Sequence, residues 1–289
     1  MKTPGKILLY SLYTIAAVCV FLYLLFPSKT VSDIIKEKVA KANPDVQLST
    51  EEASPVFPPG LKLKPLELAF ANMPLLRMDY LKVAPGLLSA FSSDKNVTFN
   101  GRLGHGTLRG RAELSKEDQG PQTKITVNLA NVPTDAFEIL DQWPAYQLVG
   151  DVTAFIDYDS KKGAGGTTNL NMEITPTKII FSPSLMGIEQ LEFSQVQTEI
   201  SVTPRMLQIK RCDLSGTQIE GKITGSIVFR RPFENSRLTL SCTIKPQPAF
   251  LADQKNSMIA GFLGSETAQK RGIVLRISGT VGKPSYVIR

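Results

Sequence analysis

The chain has 289 residues, 42% of them hydrophobic and 20% charged, with a formal net charge of +7 and a pI near 9.2. That length holds one large or two modest domains with a real core, and the composition excludes a disordered polyelectrolyte. Lys and Arg are scattered singly among Asp and Glu, with no five-residue basic cluster and no nucleic-acid-binding motif, so nucleic acid is not an expected partner.

A short tail, residues 1–6, carries Lys2 and Lys6, and the run from Ile7 to Phe26 that follows has no charge. At 1.5 Å per helical residue this run spans about 30 Å, the hydrocarbon thickness of a bilayer. It reads as a transmembrane anchor, residues 7–26, marked by Ile7, Leu12, Val18, Leu22 and Phe26. Phe26-Pro27-Ser28-Lys29 offers no small-x-small cleavage site, so the anchor is expected to stay uncleaved. Lys29, Lys36, Lys38 and Lys41 flank its other end and leave charge counting ambiguous. The signal-like N-terminus favours a cytoplasmic tail and an exported C-terminal domain.

Residues 27–60 read as an amphipathic helix and a Pro-rich linker. Thr30 and Asp33 suit an N-cap pair, and Val31, Ile34, Ile35, Val39 and Ala42 recur at helical spacing before Pro44. Such a helix lies on a bilayer or caps the domain beyond it. Ser54 to Gly60 is too rich in proline for the interior of a helix or strand.

From Leu61 onward the period becomes two. Ile125, Val127 and Leu129 alternate with polar residues, as do Leu170, Met172 and Ile174, and then Leu238, Leu240, Cys242 and Ile244. Each run predicts a half-buried antiparallel strand. Short helical interruptions are expected near Ala84–Ser92, Thr134–Gln142 and Pro248–Leu263. The predicted fold class is mainly β: an N-terminal transmembrane helix, then a curved antiparallel β-sheet domain with a few short helices.

An internal duplication runs through this region. Gly106–Leu114 (GTLRGRAEL) matches Gly221–Phe229 (GKITGSIVF), and Lys124–Phe137 matches Arg237–Phe250, both with Pro before Ala-Phe. The division expected is a first β repeat over 61–145 and a second over 146–289, packed as one domain. Gly106, Gly110, Gly221 and Gly225 are the residues expected to bend the sheet. Beside them Ile223, Ile227, Phe229, Leu238 and Leu240 line either a packed sandwich core or an open groove suited to lipid chains.

Little in the sequence carries chemistry. The single histidine, His105, sits in a glycine turn, and no GxSxG nucleophile pattern is present. Asp157 and Asp159 lack the spacing of a calcium loop, and the glycines from Gly163 to Gly166 precede a strand rather than a helix, as a flexible hairpin turn does. Glu51-Glu52 and Glu117-Asp118 sit in polar, turn-like sequence. Cys19 lies in the apolar run, and Cys212 and Cys242, on nearby strands, either pair as a disulfide or remain separate thiols. No catalytic residue, metal or cofactor is expected, and the chain reads as a non-enzyme.

The N-terminal stretch ending YLLFPSKTVSDIIKEKVAKANPDVQL, with FPPGLKL after it, resembles the type II secretion system protein N (GspN) family. So do LEFSQVQTEI, DLSGTQIEGKITGSIVF and TIKPQPAFL, and the Gly279-Thr280-x-x-x-Pro284 ending is similar to those of AsmA-like proteins. The resemblance implies an accessory component of a type II protein secretion system, single-pass in the bacterial inner membrane, with a periplasmic scaffold contacting other secretion-system proteins. It also implies the alternative of an AsmA-like lipid-binding or lipid-transfer module with an apolar groove.

Overall fold

The computed structural model describes residues 3–56, 60–70, 72–86, 95–117, 120–142, 145–163, 165–185, 188–248 and 272–288. Two helices come first, α1 (Thr3–Leu24) and α2 (Ser28–Ala42). The strands then follow as β1 (Val46–Val56), β2 (Gly60–Phe70), β3 (Met73–Met78), β4 (Tyr80–Pro85), β5 (Lys95–Leu103), β6 (Gly106–Glu117), β7 (Gly120–Pro133) and β8 (Tyr146–Asp159). The second half holds β9 (Thr167–Leu185), β10 (Ile188–Phe193), β11 (Gln195–Thr203), β12 (Met206–Ser215), β13 (Ile219–Val228), β14 (Arg237–Pro246), β15 (Ile273–Thr280) and β16 (Pro284–Ile288).

All sixteen strands join one antiparallel sheet whose order follows the chain, with β3 added beside β2 and β10 beside β9. Neighbours in sequence are neighbours in space because the links are tight. Gly104 and His105 alone turn β5 into β6, with Gly104 at φ 57°, and Pro204-Arg205 turns β11 into β12. Pairing between β7 and β8 carries the sheet unbroken past residue 145.

The sheet curls. Asp45, just before β1, accepts from Arg231 Nη2 in the β13–β14 turn at 2.8 Å. These two positions are ten strand spacings apart along the sheet, roughly 48 Å if it were flat. Bulges supply part of the bend: Asn131 at φ 51° interrupts the β7–β8 register, and Lys210-Arg211 interrupts β12. The path still ends in two edges, β1 and β16, rather than closing.

Several expectations are corrected here. The apolar run forms α1, but the helix stops at Leu24, and Phe26 leaves it to pack against the core. The described side chains of Leu12 and Val18 are exposed, and those of Ile7 and Leu22 lie outside the described set. Among the described residues no helix is long and apolar enough to cross a membrane. The single-pass anchor, and the inner-membrane placement and periplasmic orientation built on it, are therefore withdrawn. Thr30 and Asp33 do not cap α2, which starts two residues earlier, after Pro27.

Ser54, Pro55 and Val56 belong to β1 and Gly60 opens β2, so strand reaches into the expected linker from both sides; residues 57–59 lie outside the described set. An edge strand tolerates Pro55 because its outward N–H needs no ladder partner. Glu51 and Glu52 are strand rather than turn residues: two successive exposed positions sit between buried Thr50 and Ala53, a local slip in the alternation. Two 3-10 turns, Thr134–Ala136 and Glu138–Gln142, fall where one helical interruption was expected. Of the other two interruptions, Ala84 and Pro85 are strand and most of the rest lies outside the described residues.

Candidate functional site

The alternation places apolar side chains in register on a single face. One cross-strand row runs Ala53, Leu63, Leu81, Gly101, Leu108, Leu129 and Ala154 from β1 to β8. It continues as Met172, Thr198, Cys212, Ile223, Cys242 and Leu275 to β15. A parallel row includes Phe99, Val127, Ile156, Leu170, Leu240 and Ile277. The opposite face is polar along its matching row apart from Phe155, with Lys82, Asn100, Arg109, Asn128, Asn171 and Glu199. The apolar face of a curled sheet is the wall of a trough.

Burial along this wall is graded. Leu63 (3% exposed), Leu108, Leu129 (7%) and Ala154 are buried in the first half, whereas Met172, Cys212, Ile223, Cys242 and Leu275 are only half-buried. A second gradient runs along the strands. Val132 and Val152 lie at the buried end, near the 3-10 turns, while Val127, Ile125, Ile156 and Tyr158 further along β7 and β8 are half-buried. Along the central row the trough is more tightly packed towards β1 and half-open towards β16, while Ile174, Val196 and Ile219 keep one end of its second half buried.

The residues singled out from sequence fall on this accessible part. Ile227 pairs with Leu238, Ile223 with Cys242, and Leu240 with Gly225, all on the apolar face and all half-buried. Phe229 lies one residue beyond β13, its ring 6.3 Å from that of Phe233, and so sits at the rim. Gly110 in β6 and Gly225 in β13 occupy the same row, six strand spacings apart along the path. A Cβ on Gly110 would fall 2.0 Å from the Phe99 ring, which fills the space the glycine leaves. Gly225 sits at φ 145°, opposite the β12 bulge, and a Cβ there would meet Thr239 O at 2.2 Å. Gly106 packs against Val132 backbone, and Gly221 against the Leu214 side chain.

Of the two states left open for the cysteines, the structure holds separate thiols. Cys212 and Cys242 are free thiols, each paired across the sheet with Ile223 from opposite sides. With β13 between them they stand two strand spacings apart, roughly 9.6 Å, beyond the Cα separation a disulfide spans. Burial pushes both thiols up from their ordinary pKa, and Thr198 Oγ1, 3.4 Å from Cys212 Sγ, opposes that shift at Cys212.

Other polar groups are accounted for locally. His105 Nε2 lies 2.9 Å from Asp151 Oδ1 on the exposed turn. Asp159, 6% exposed, accepts from Gln122 Nε2 and Lys161 N, both at 3.0 Å, and those bonds hold its carboxyl below the usual range. It pins the β8–β9 turn, while Asp157 pairs loosely with Lys162 at 3.7 Å. Among the described residues no cluster of three His, Cys, Asp or Glu is arranged to hold a metal. A depression of about 450 Å³ lies on the outer face around Phe155, with Thr153, Asn171, Glu173, Gln197 and Arg211 on its walls. Two of its charged groups are engaged with neighbours: Gln195 donates to Glu173 at 2.7 Å and Arg211 pairs with Asp213. No sequence signal pointed to it, since its residues come from five strands.

Fold and site together define an open, curled antiparallel sheet with one continuous apolar wall. No protein-family model matches the chain, and no curated protein and no solved structure matches it.

Proposed function

We propose that this chain is a non-enzymatic carrier of apolar chains, holding the acyl part of a lipid along the half-buried wall from Met172 to Leu275. The observation that carries the proposal is the register: a mainly apolar row stays on one face, and along it the side chains go from buried in β2, β6, β7 and β8 to half-buried from Met172 to Leu275. A face built only as a core would bury its second half as fully as its first, because exposed apolar area costs about 25 cal/mol per Å². An acyl chain laid across the strands covers that area without demanding any polar partner. Lipid mass spectrometry on the purified full-length chain tests the reading. Acyl lipid at near-stoichiometric amounts is expected, and a preparation free of acyl chains overturns it.

The likeness to the type II secretion system protein N family suggests a second reading, an accessory protein that docks secretion components. The side of β16 that pairs with no described strand favours docking, and crosslinking in cells that recovers no secretion component counts against that apparatus.

A further inference from the structure

The two edges of the sheet are treated differently. β1 is covered: Ala53 N donates to Ser28 Oγ at 3.0 Å and Ser32 Oγ donates to Thr50 O at 3.2 Å, so two serines one turn apart on α2 satisfy the outward backbone of the strand. Ser32 is buried in doing so, and Val31 and Ile35 pack on the core beside it. At the other edge, β16 pairs with β15, and among the described residues no element pairs with its far side. Tyr286 and Val287 are 61% and 48% exposed there. The apolar wall therefore runs to an edge whose far side has no backbone partner among the described residues.

Charge marks the same edge. Arg237, Lys245, Arg276 and Lys283 belong to or border β14, β15 and β16, and no Asp or Glu lies within those three strands. Among the described residues none of these four cations forms an ion pair, as is also true of Lys82, Arg109 and Arg205 elsewhere, and only Lys245 has an acidic residue, Glu220, directly opposite. The register fixes the face involved. Arg276 stands opposite Ser241 and Val287, whereas Leu275 and Ile277 point to the trough side with Cys242 and Tyr286. An anionic headgroup on a chain lying in the trough would be on the wrong side of the sheet for Arg276. Outward side chains of an added strand would be on the same side as Arg276, with β16 between them, two strand spacings or roughly 9.6 Å away backbone to backbone.

We propose that β16 receives an extended segment of a partner protein, apolar at its trough-facing positions and acidic at its outward ones, which continues both the sheet and the apolar wall. The apolar half of this inference rests on the trough reading, and the acidic half does not. Strand addition gives affinity through main-chain bonds, and the alternating side chains give selectivity.

The test uses the full-length chain and a labelled octapeptide alternating valine and glutamate, followed by fluorescence anisotropy. Saturable binding is expected. It should weaken on the order of tenfold in Arg276→Glu combined with Lys283→Glu, as loss of two exposed ion pairs implies. A peptide N-methylated at alternate amides should bind poorly, and a valine-lysine peptide should bind only the charge-reversed variant. Binding indifferent to N-methylation or to charge reversal overturns the proposal, as does no binding. So does attachment of phosphatidylglycerol vesicles through Arg276 and Lys283 in place of the peptide. Ile223→Asp separates the two readings: it should abolish acyl binding and leave peptide binding intact, with a thermal melt confirming the fold.

Discussion

Replacing Ile223, Leu240 and Leu275 together by Ser removes apolar surface from three adjacent strands at the accessible end of the trough. Each side chain is half-buried in the free protein. An acyl chain that covers a further 40 Å² or so at each position gains about 1 kcal/mol per residue at 25 cal/mol per Å². The triple substitution should therefore cost about 3 kcal/mol of binding, an affinity loss on the order of 100-fold. Titration with an environment-sensitive fluorescent fatty acid measures it, and comparison with wild type subtracts any uptake by the apolar helix α1. Lys222→Ser with Thr239→Ala, on the outer face, should leave the titration unchanged. By contrast Leu129→Ser, in the buried part of the same row, should lower the melting temperature sharply, since emptying such a site costs roughly 2–5 kcal/mol. A triple variant that keeps its fold and binds within twofold of wild type would refute the reasoning.

Ser32→Ala leaves the Thr50 carbonyl without its donor and should cost about 1–3 kcal/mol, seen as faster hydrogen exchange in β1; unchanged protection there would count against α2 as an edge cover. Gly225→Ala forces a side chain into a left-handed position against Thr239 and should destabilise by roughly 1–3 kcal/mol in a denaturant melt. Asp159 has a depressed carboxyl pKa, so its contribution is complete above the ordinary value of about 3.9 and is lost as pH falls through the lower folded-state value. Asp159→Asn should accordingly flatten the acid limb of the stability profile. Cys212 and Cys242 should both alkylate without reductant, more slowly than a solvent-exposed thiol, and a disulfide-linked peptide between them would contradict the register.

Much of the sheet was legible in the sequence because one of its faces is apolar. Ile125, Val127 and Leu129 fall in β7, Leu170, Met172 and Ile174 in β9, and Leu238, Leu240 and Cys242 in β14, all on the trough side. The repeated glycines also carry over: Gly110 and Gly225 share a row, which an alignment of two strands can reveal without any knowledge of the path between them. What period-two reading misses is where alternation slips. Two exposed residues in succession, Glu51-Glu52 in β1, look like a turn when they are in fact flanked by buried strand positions. The state of Cys212 and Cys242 could not be read from sequence, since it depends on β13 lying between them, which puts the thiols in line but out of reach. The asymmetry of the edges had no local signal at all. It depends on Ser28 and Ser32 meeting β1, a contact between helix and strand that hydropathy does not encode.

The central claim is that acyl chains lie on the apolar wall, and photolabelling locates them directly. A diazirine-bearing fatty acid is bound to the full-length chain, irradiated, and mapped by peptide mass spectrometry. The trough account predicts adducts at Met172, Ile223, Leu240 and Leu275 and none at outer-face positions such as Lys222 or Asn171. Adducts confined to α1, or spread equally over both faces of the sheet, would contradict it.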